Sequence, residues 1–141
     1  MKALFMFFAF ATALMQSPSN SFNQDVLKGY FEKGAPFDFI LIDIRATQEM
    51  SAVIGNASCK PYNLEWPDTL QQESAKIPKD RTVIVYCAGG NRSRRAAEYL
   101  RANGFTNVLD GGGFRNWTGP TLPLSEIKAT SLLPEPSMKK K

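Results

Sequence analysis

Cys87 closes the most β-branched apolar run of the chain, Thr82-Val83-Ile84-Val85-Tyr86. It is followed by Ala88-Gly89-Gly90-Asn91-Arg92, and a helical pattern opens at Ser93. Two glycines and an asparagine permit backbone conformations that residues bearing a Cβ resist. Successive N–H groups can therefore turn inward as an anion-binding nest. A helix starting at Ser93 adds its unpaired N–H groups and its positive end. A thiol at that focus is expected to be largely thiolate at neutral pH, and Arg92 is expected to offer its guanidinium to an incoming oxyanion. Taken alone, Cys87 could equally be a small hydrophobe finishing a buried strand. The glycine turn, Arg92 and the immediate helix start favour a nucleophile.

The chain has 141 residues and no histidine. That absence removes the Ser-His-Asp triad, the Cys-His pair, the two-His zinc site and the imidazole proton shuttle. Any activation of Cys87 must come from backbone amides, a helix end and arginine. The length fits one domain, large enough to bury about two-thirds of its unfolded surface. The net charge of +4 is carried by Lys2 and Lys139–Lys141, which leaves a neutral body. No basic face marks a nucleic-acid partner, and the terminal lysines read as a solvated tip.

Lys2 followed by the apolar run Ala3–Met15 has the form of a secretory signal, too short for a membrane span of about 20 residues. Ala11 and Ala13 fit a small-residue cleavage site, and Ser17–Ser21 with Pro18 reads as a processed linker. The alternatives are an uncleaved anchor or a buried first helix. The organisation expected is a signal peptide at 1–17, a domain at 18–119 and a Pro/Lys-rich extended tail at 120–141. The compartment expected is periplasmic or extracellular, with membrane contact only through the signal segment.

The elements that must position Cys87 alternate in period. Asn23–Lys33 predicts an amphipathic helix with Val26, Leu27, Tyr30 and Phe31 on one face. Phe39–Ile42, ending in Asp43, predicts a strand buried on both faces. A helical turn is expected at Thr47–Met50, a strand near Ala57–Tyr62 and a helix over Asp68–Ile77. Thr82–Tyr86 is the clearest strand, and Ser93–Asn103 the clearest helix, with Gly104 as its cap. A short strand at Asn107–Leu109 and a turn at Gly111–Gly113 complete the series. Strand–helix alternation predicts an α/β domain, a parallel sheet with helices on both faces, and ligands bind such sheets beyond the carboxyl ends of the strands.

The segment Cys87-Ala88-Gly89-Gly90-Asn91-Arg92-Ser93, with Ala96-Ala97 and Leu100 after it, resembles the Cys-x-x-Gly-x-Arg-Ser signature of the rhodanese-like family. Leu41-Ile42-Asp43-Ile44-Arg45 with Glu49 is similar to that family's Asp-x-Arg strand end. Gly104-Phe105, Val108, Leu109, Gly111-Gly112 and Trp117 are similar to its closing element. The resemblance spans about residues 22–118. It implies a three-layer α/β/α fold around a small parallel sheet of four to five strands. It also implies sulfur transfer through a persulfide on Cys87, from thiosulfate or a related anion to cyanide or a thiol, a protein thiol included. Residues 88–93 would bind the persulfide, with no metal or organic cofactor. Asp43 and Arg45 become cleft residues supporting the loop, either as a structural ion pair with Glu49 or the loop backbone, or in contact with substrate. One departure is Val53, which stands where the family often has histidine; it is expected to alter a cleft wall.

Two rival readings share the cysteine. A Cys-dependent phosphatase or arsenate reductase wraps a tetrahedral oxyanion in a longer loop, whereas four residues separate Cys87 from Arg92 here. A persulfide carrier or binding module working with protein partners needs the same Cys87. Arg94 and Arg95 are expected on a solvated helix face, the alternative being that they help Arg92 attract an anionic donor. Cys59 is expected to be a buried strand residue, the alternative being a redox pair with Cys87. Trp66 and Trp117 read as packing residues.

Overall fold

The computed structural model describes residues 24–135. The expected signal peptide at 1–17 and the lysine tip lie outside the described residues. Among the described residues no helix is long and apolar enough to cross a membrane.

Helix α1 (Gln24–Lys33) leads into β1 (Phe39–Asp43), a 3₁₀ turn at Thr47–Glu49, β2 (Ala52–Ile54) and β3 (Tyr62–Asn63). Helix α2 (Asp68–Glu73) continues as a 3₁₀ turn over Ser74–Lys76. Then come β4 (Thr82–Cys87), α3 (Asn91–Ala102), β5 (Val108–Gly113), a turn at Phe114–Asn116 and β6 (Thr121–Pro123). The main sheet has the order β3-β1-β4-β5, and every pairing in it is parallel. All its carboxyl ends therefore share one edge, which carries Asp43, Asn63, Cys87 and Gly113.

Alternation along the two central strands sorts the core into two layers. Ile40, Ile42, Val83, Val85 and Cys87 pack with Leu70, Ala96, Ala97 and Leu100 from α2 and α3. Leu41, Ile84 and Tyr86 face the other way, onto Leu27 and Phe31 of α1. The result is the three-layer α/β/α arrangement. Of the apolar face expected on α1, only Leu27 and Phe31 are buried; Val26 and Tyr30 stay exposed. The helix meets the sheet along a stripe narrower than its apolar pattern.

Three further differences from the sequence reading have identifiable physical causes. The strand expected near Ala57–Tyr62 is split: β2 lies earlier, β3 later, and Asn56–Cys59 between them form a tight turn. There Asn56 Oδ1 accepts the Ser58 and Cys59 N–H groups at 3.0 and 2.8 Å. Gly111–Gly113 is strand, because β5 must run close against β4. A Cβ on Gly111 would stand 3.0 Å from the Val85 carbonyl, and one on Gly113 would stand 2.7 Å from the Ala88 carbonyl. Finally, the described part of the segment after Pro120, up to residue 135, does not extend away from the body. Strand β6 pairs antiparallel with β2, Lys128 N–H donates to the Pro61 carbonyl at 2.8 Å, and Tyr62 Oη donates to Leu132 at 2.9 Å. Val53, paired with Leu122, is fully buried.

Gly113→Ala is expected to cost about 1–3 kcal/mol, because the atoms a Cβ would meet are backbone and cannot step aside cheaply. Gly29→Ala, inside α1 with nothing within 4 Å, is expected to stabilise by about 0.5–1 kcal/mol. Urea midpoints at unchanged slope check both.

Candidate active site

Strand β4 ends at Cys87, whose residue is only 1% exposed. Its Sγ accepts the Gly90 N–H at 3.0 Å and the Ser93 N–H at 3.4 Å. Gly90 makes this possible: it precedes α3 with φ of 102°, a left-handed conformation costly for a residue with a Cβ. The reversed peptide turns its N–H back onto the sulfur, while the first turn of α3 contributes Ser93. Two donors thus meet one sulfur at the positive end of a helix of 12 residues.

The loop is clamped from both sides. Ser93 Oγ donates to the Gly90 carbonyl at 3.0 Å and reaches Gly112 at 3.4 Å. Arg115 N–H donates to the Ala88 carbonyl at 3.1 Å. Gln24, opening α1, donates to the carbonyls of Gly111 and Gly113 at 3.2 and 2.8 Å, which ties the first helix to the same edge. Asn91 is the first residue of α3 and is exposed. Beside the loop lies a cleft of about 570 Å³, lined on one side by Gly89, Gly90, Asn91 and Arg94. Gln24, Asp25, Asp110, Gly112, Gly113 and Asn116 form its other walls. Cys87 does not line this cleft.

The other residues singled out by sequence take distinct places. Asp43 and Arg45 are buried against each other, with Arg45 Nη2 at 2.7 Å from Asp43 Oδ2 and Nε at 3.0 Å from Oδ1. Arg45 also donates to the Ala52 carbonyl at 2.8 Å, and its guanidinium lies 4.4 Å from the centre of the Phe114 ring. Arg45 pairs with Asp43, not with Glu49 or the loop. Burial, reinforced by the Asp43 carboxylate to which it is hydrogen-bonded, holds the Tyr86 hydroxyl protonated well above its ordinary range. That hydroxyl also accepts the Ile54 N–H at 3.0 Å, which joins β2 to the centre of the sheet.

Arg92 is directed away from the role expected of it. It forms a bidentate pair with Glu49, at 2.7 Å from Nη1 to Oε2 and 2.6 Å from Nη2 to Oε1. Glu49 Oε2 also accepts the Ala46 N–H at 2.9 Å. The hydrogen bonds from Arg92 hold the Glu49 carboxyl at about 2. Glu49 lies four residues after Arg45 of the Asp-x-Arg motif, but its partner could not be read from spacing. Gln24 and Arg115 had no local signal; only the chain's return brings them to the loop.

Both cysteines are free. Cys59 is buried, as expected, though in the Asn56–Cys59 turn and not in a strand. Burial pushes its thiol up to about 11, against a smaller lowering by Lys128. Arg94 lies on the exposed face of α3, 3.1 Å from Glu98, and Arg95 is exposed beside it. Among the described residues no group of three or more Cys, Asp or Glu side chains converges as a metal set.

An α/β domain with one cysteine cradled at the carboxyl edge of a parallel sheet is a defined class of protein. The rhodanese-like domain model matches residues 23–119, and the chain belongs to that family. It is 36% identical over 89 residues to a sulfurtransferase of Allochromatium vinosum, covering 62% of this chain and 78% of that protein. It is 34% identical over 85 residues to a tRNA uridine(34) hydroxylase of Xanthomonas campestris, covering 58% of this chain but 32% of the hydroxylase. Among solved structures, the Anabaena Alr3790 protein superposes with a TM-score of 0.58 at 28% identity, over 71% of this chain and 78% of that one. A Staphylococcus aureus rhodanese-like domain protein gives 0.52 at 31% identity, over 68% and 88%.

Asp43→Ala, which strands the buried Arg45 cation, is expected to cost about 3–5 kcal/mol in urea unfolding. Replacing both with apolar residues, Asp43→Leu with Arg45→Met, is expected to recover much of that loss. Cys59 gives a pH signature. Folded, it keeps its proton to about 11, and its ordinary value is 9.0, so stability falls as pH rises between those values. Cys59→Ala is expected to remove a contribution of about 2 kcal/mol to that alkaline loss, seen by comparing unfolding of the two proteins at pH 8 and about pH 11.

Proposed function

We propose that this protein is a sulfurtransferase that carries sulfane sulfur on Cys87, with thiosulfate or a similar anion as donor. The carrying observation is the convergence of the Gly90 and Ser93 N–H groups on Cys87 Sγ. The membership of a family with sulfurtransferase-named relatives supports it.

In the first half-reaction the Cys87 thiolate attacks the outer sulfur of thiosulfate. The new Sγ–S bond forms as the donor's S–S bond breaks, and sulfite leaves with the bonding pair. The persulfide's terminal sulfur carries the negative charge, and inward N–H groups are suited to hold it, as oxyanion donors hold developing charge. In the second half-reaction cyanide attacks that outer sulfur, thiocyanate leaves, and the Cys87 thiolate returns. The cycle is ping-pong and moves no proton through an imidazole, which suits a chain without histidine.

A second reading, a carrier that passes the persulfide sulfur to a protein thiol, draws support from the relatives in which the matched segment is a minor part. The chain is 33% identical to 22% of the adenylyltransferase and sulfurtransferase uba4 of Ogataea parapolymorpha. Export forms part of the proposal, on the apolar run after Lys2.

Thiosulfate incubation is expected to add one sulfur to the intact mass, on Cys87, and cyanide to release it as thiocyanate. Cys87→Ser is expected to lower turnover at least about a thousandfold. Persulfide loading with discharge only to a protein thiol would favour the carrier. Phosphatase activity without thiocyanate would overturn the sulfurtransferase reading.

A further inference from the structure

An anionic donor needs a cation at the mouth of the Cys87 loop, and most of the nearby arginines are committed. Arg45 is buried on Asp43, and Arg92 is held by both Glu49 oxygens. Arg94 pairs with Glu98 along α3. Recruiting Arg92 would break two charge-assisted hydrogen bonds, the stronger kind.

Arg115 is placed differently. It enters from the turn after β5, and its backbone N–H is fixed to the Ala88 carbonyl at 3.1 Å. Its guanidinium lies over the loop at Gly89, where a Cβ would come within 3.3 Å of Nη1. The side chain is exposed, and among the described residues it forms no salt bridge. Gly89 supplies no side chain of its own, so a cation from a distant part of the chain occupies that side of the loop. Gly89 itself is exposed and lines the 570 Å³ cleft, as does Asn116, the residue after Arg115; Arg115 is not part of the lining and stands beside it.

We propose that Arg115, not Arg92, is the residue that binds the incoming sulfur-donor anion and steers it to Cys87. Arg92 is then a positioning residue, which fastens the loop to the turn bearing Glu49. The assignment rests on the sulfurtransferase reading. Charge at a cleft mouth acts mainly on encounter and is screened by salt, so its signature lies in the donor half-reaction alone.

The test is single-turnover persulfide loading followed by intact mass, with thiosulfate, a dianion, and methanethiosulfonate, a monoanion. Arg115→Ala is expected to slow loading by thiosulfate about five- to tenfold, with a smaller effect for the monoanion and for either donor at high salt. Arg115→Lys is expected to restore most of the rate. Arg95→Ala removes an equal charge from α3 and is expected to change loading less than about twofold. Discharge of the loaded persulfide to dithiothreitol, a neutral acceptor, is expected to be the same in Arg115→Ala and wild type. Equal loading of Arg115→Ala and wild type, or equal losses with both donors at all salt concentrations, would overturn the assignment and leave the sulfurtransferase reading standing. A wild-type protein that takes up no sulfur would overturn both.

Discussion

Gly90 holds a left-handed φ of 102°, and the geometry around Cys87 depends on it. With that one peptide reversed, an N–H that would point outward meets Sγ, and α3 starts early enough for Ser93 to supply the second donor. The conformation is maintained by its surroundings: Ser93 Oγ holds the Gly90 carbonyl, while β5 presses close on the preceding residues. Gly113 has no Cβ because the Ala88 carbonyl already occupies that place. The glycines at both ends of this contact answer one requirement, close passage of two backbones around a sulfur.

A second constraint lies beneath the first. Asp43, Arg45 and Tyr86 form a buried polar group at the carboxyl ends of β1 and β4, where the register sets Asp43 opposite Tyr86. Buried charges are tolerable only when paired and hydrogen-bonded, and here each polar partner also grips backbone. Arg45 reaches Ala52, Asn63 Nδ2 donates to the Asp43 and Arg45 carbonyls at 2.9 Å each, and Tyr86 takes the Ile54 N–H. The group thereby fixes β2 and the chain leading to Glu49. Glu49 in turn holds Arg92, so a buried pair on one strand sets the outer side of the loop on the next.

The two cysteines stand in different environments. Cys87 ends a strand among donors; Cys59 sits in a tight turn among apolar side chains, with burial keeping its thiol protonated. Neither residue's neighbours in sequence would separate them as sharply as their neighbours in space do.

Much of this architecture was legible in the sequence because its causes are local. Continuous β-branched runs give the central strands, glycines followed by a helical pattern give the cradle, and the absence of histidine excludes an imidazole partner for the cysteine. Where the sequence reading differed, the decisive partner was remote. Gly111–Gly113 reads as a turn until β4 lies alongside, and the segment after Pro120 reads as a tail until β2 offers an edge to pair with. Arg92 reads as a substrate arginine until Glu49, 43 residues away, takes both its terminal nitrogens. Charge type and backbone freedom are written at each position, and they marked Cys87 as the candidate nucleophile. Which cation pairs with which carboxylate was decided only by folding, since an ion pair needs two groups within a few ångströms and spacing along the chain does not set that distance.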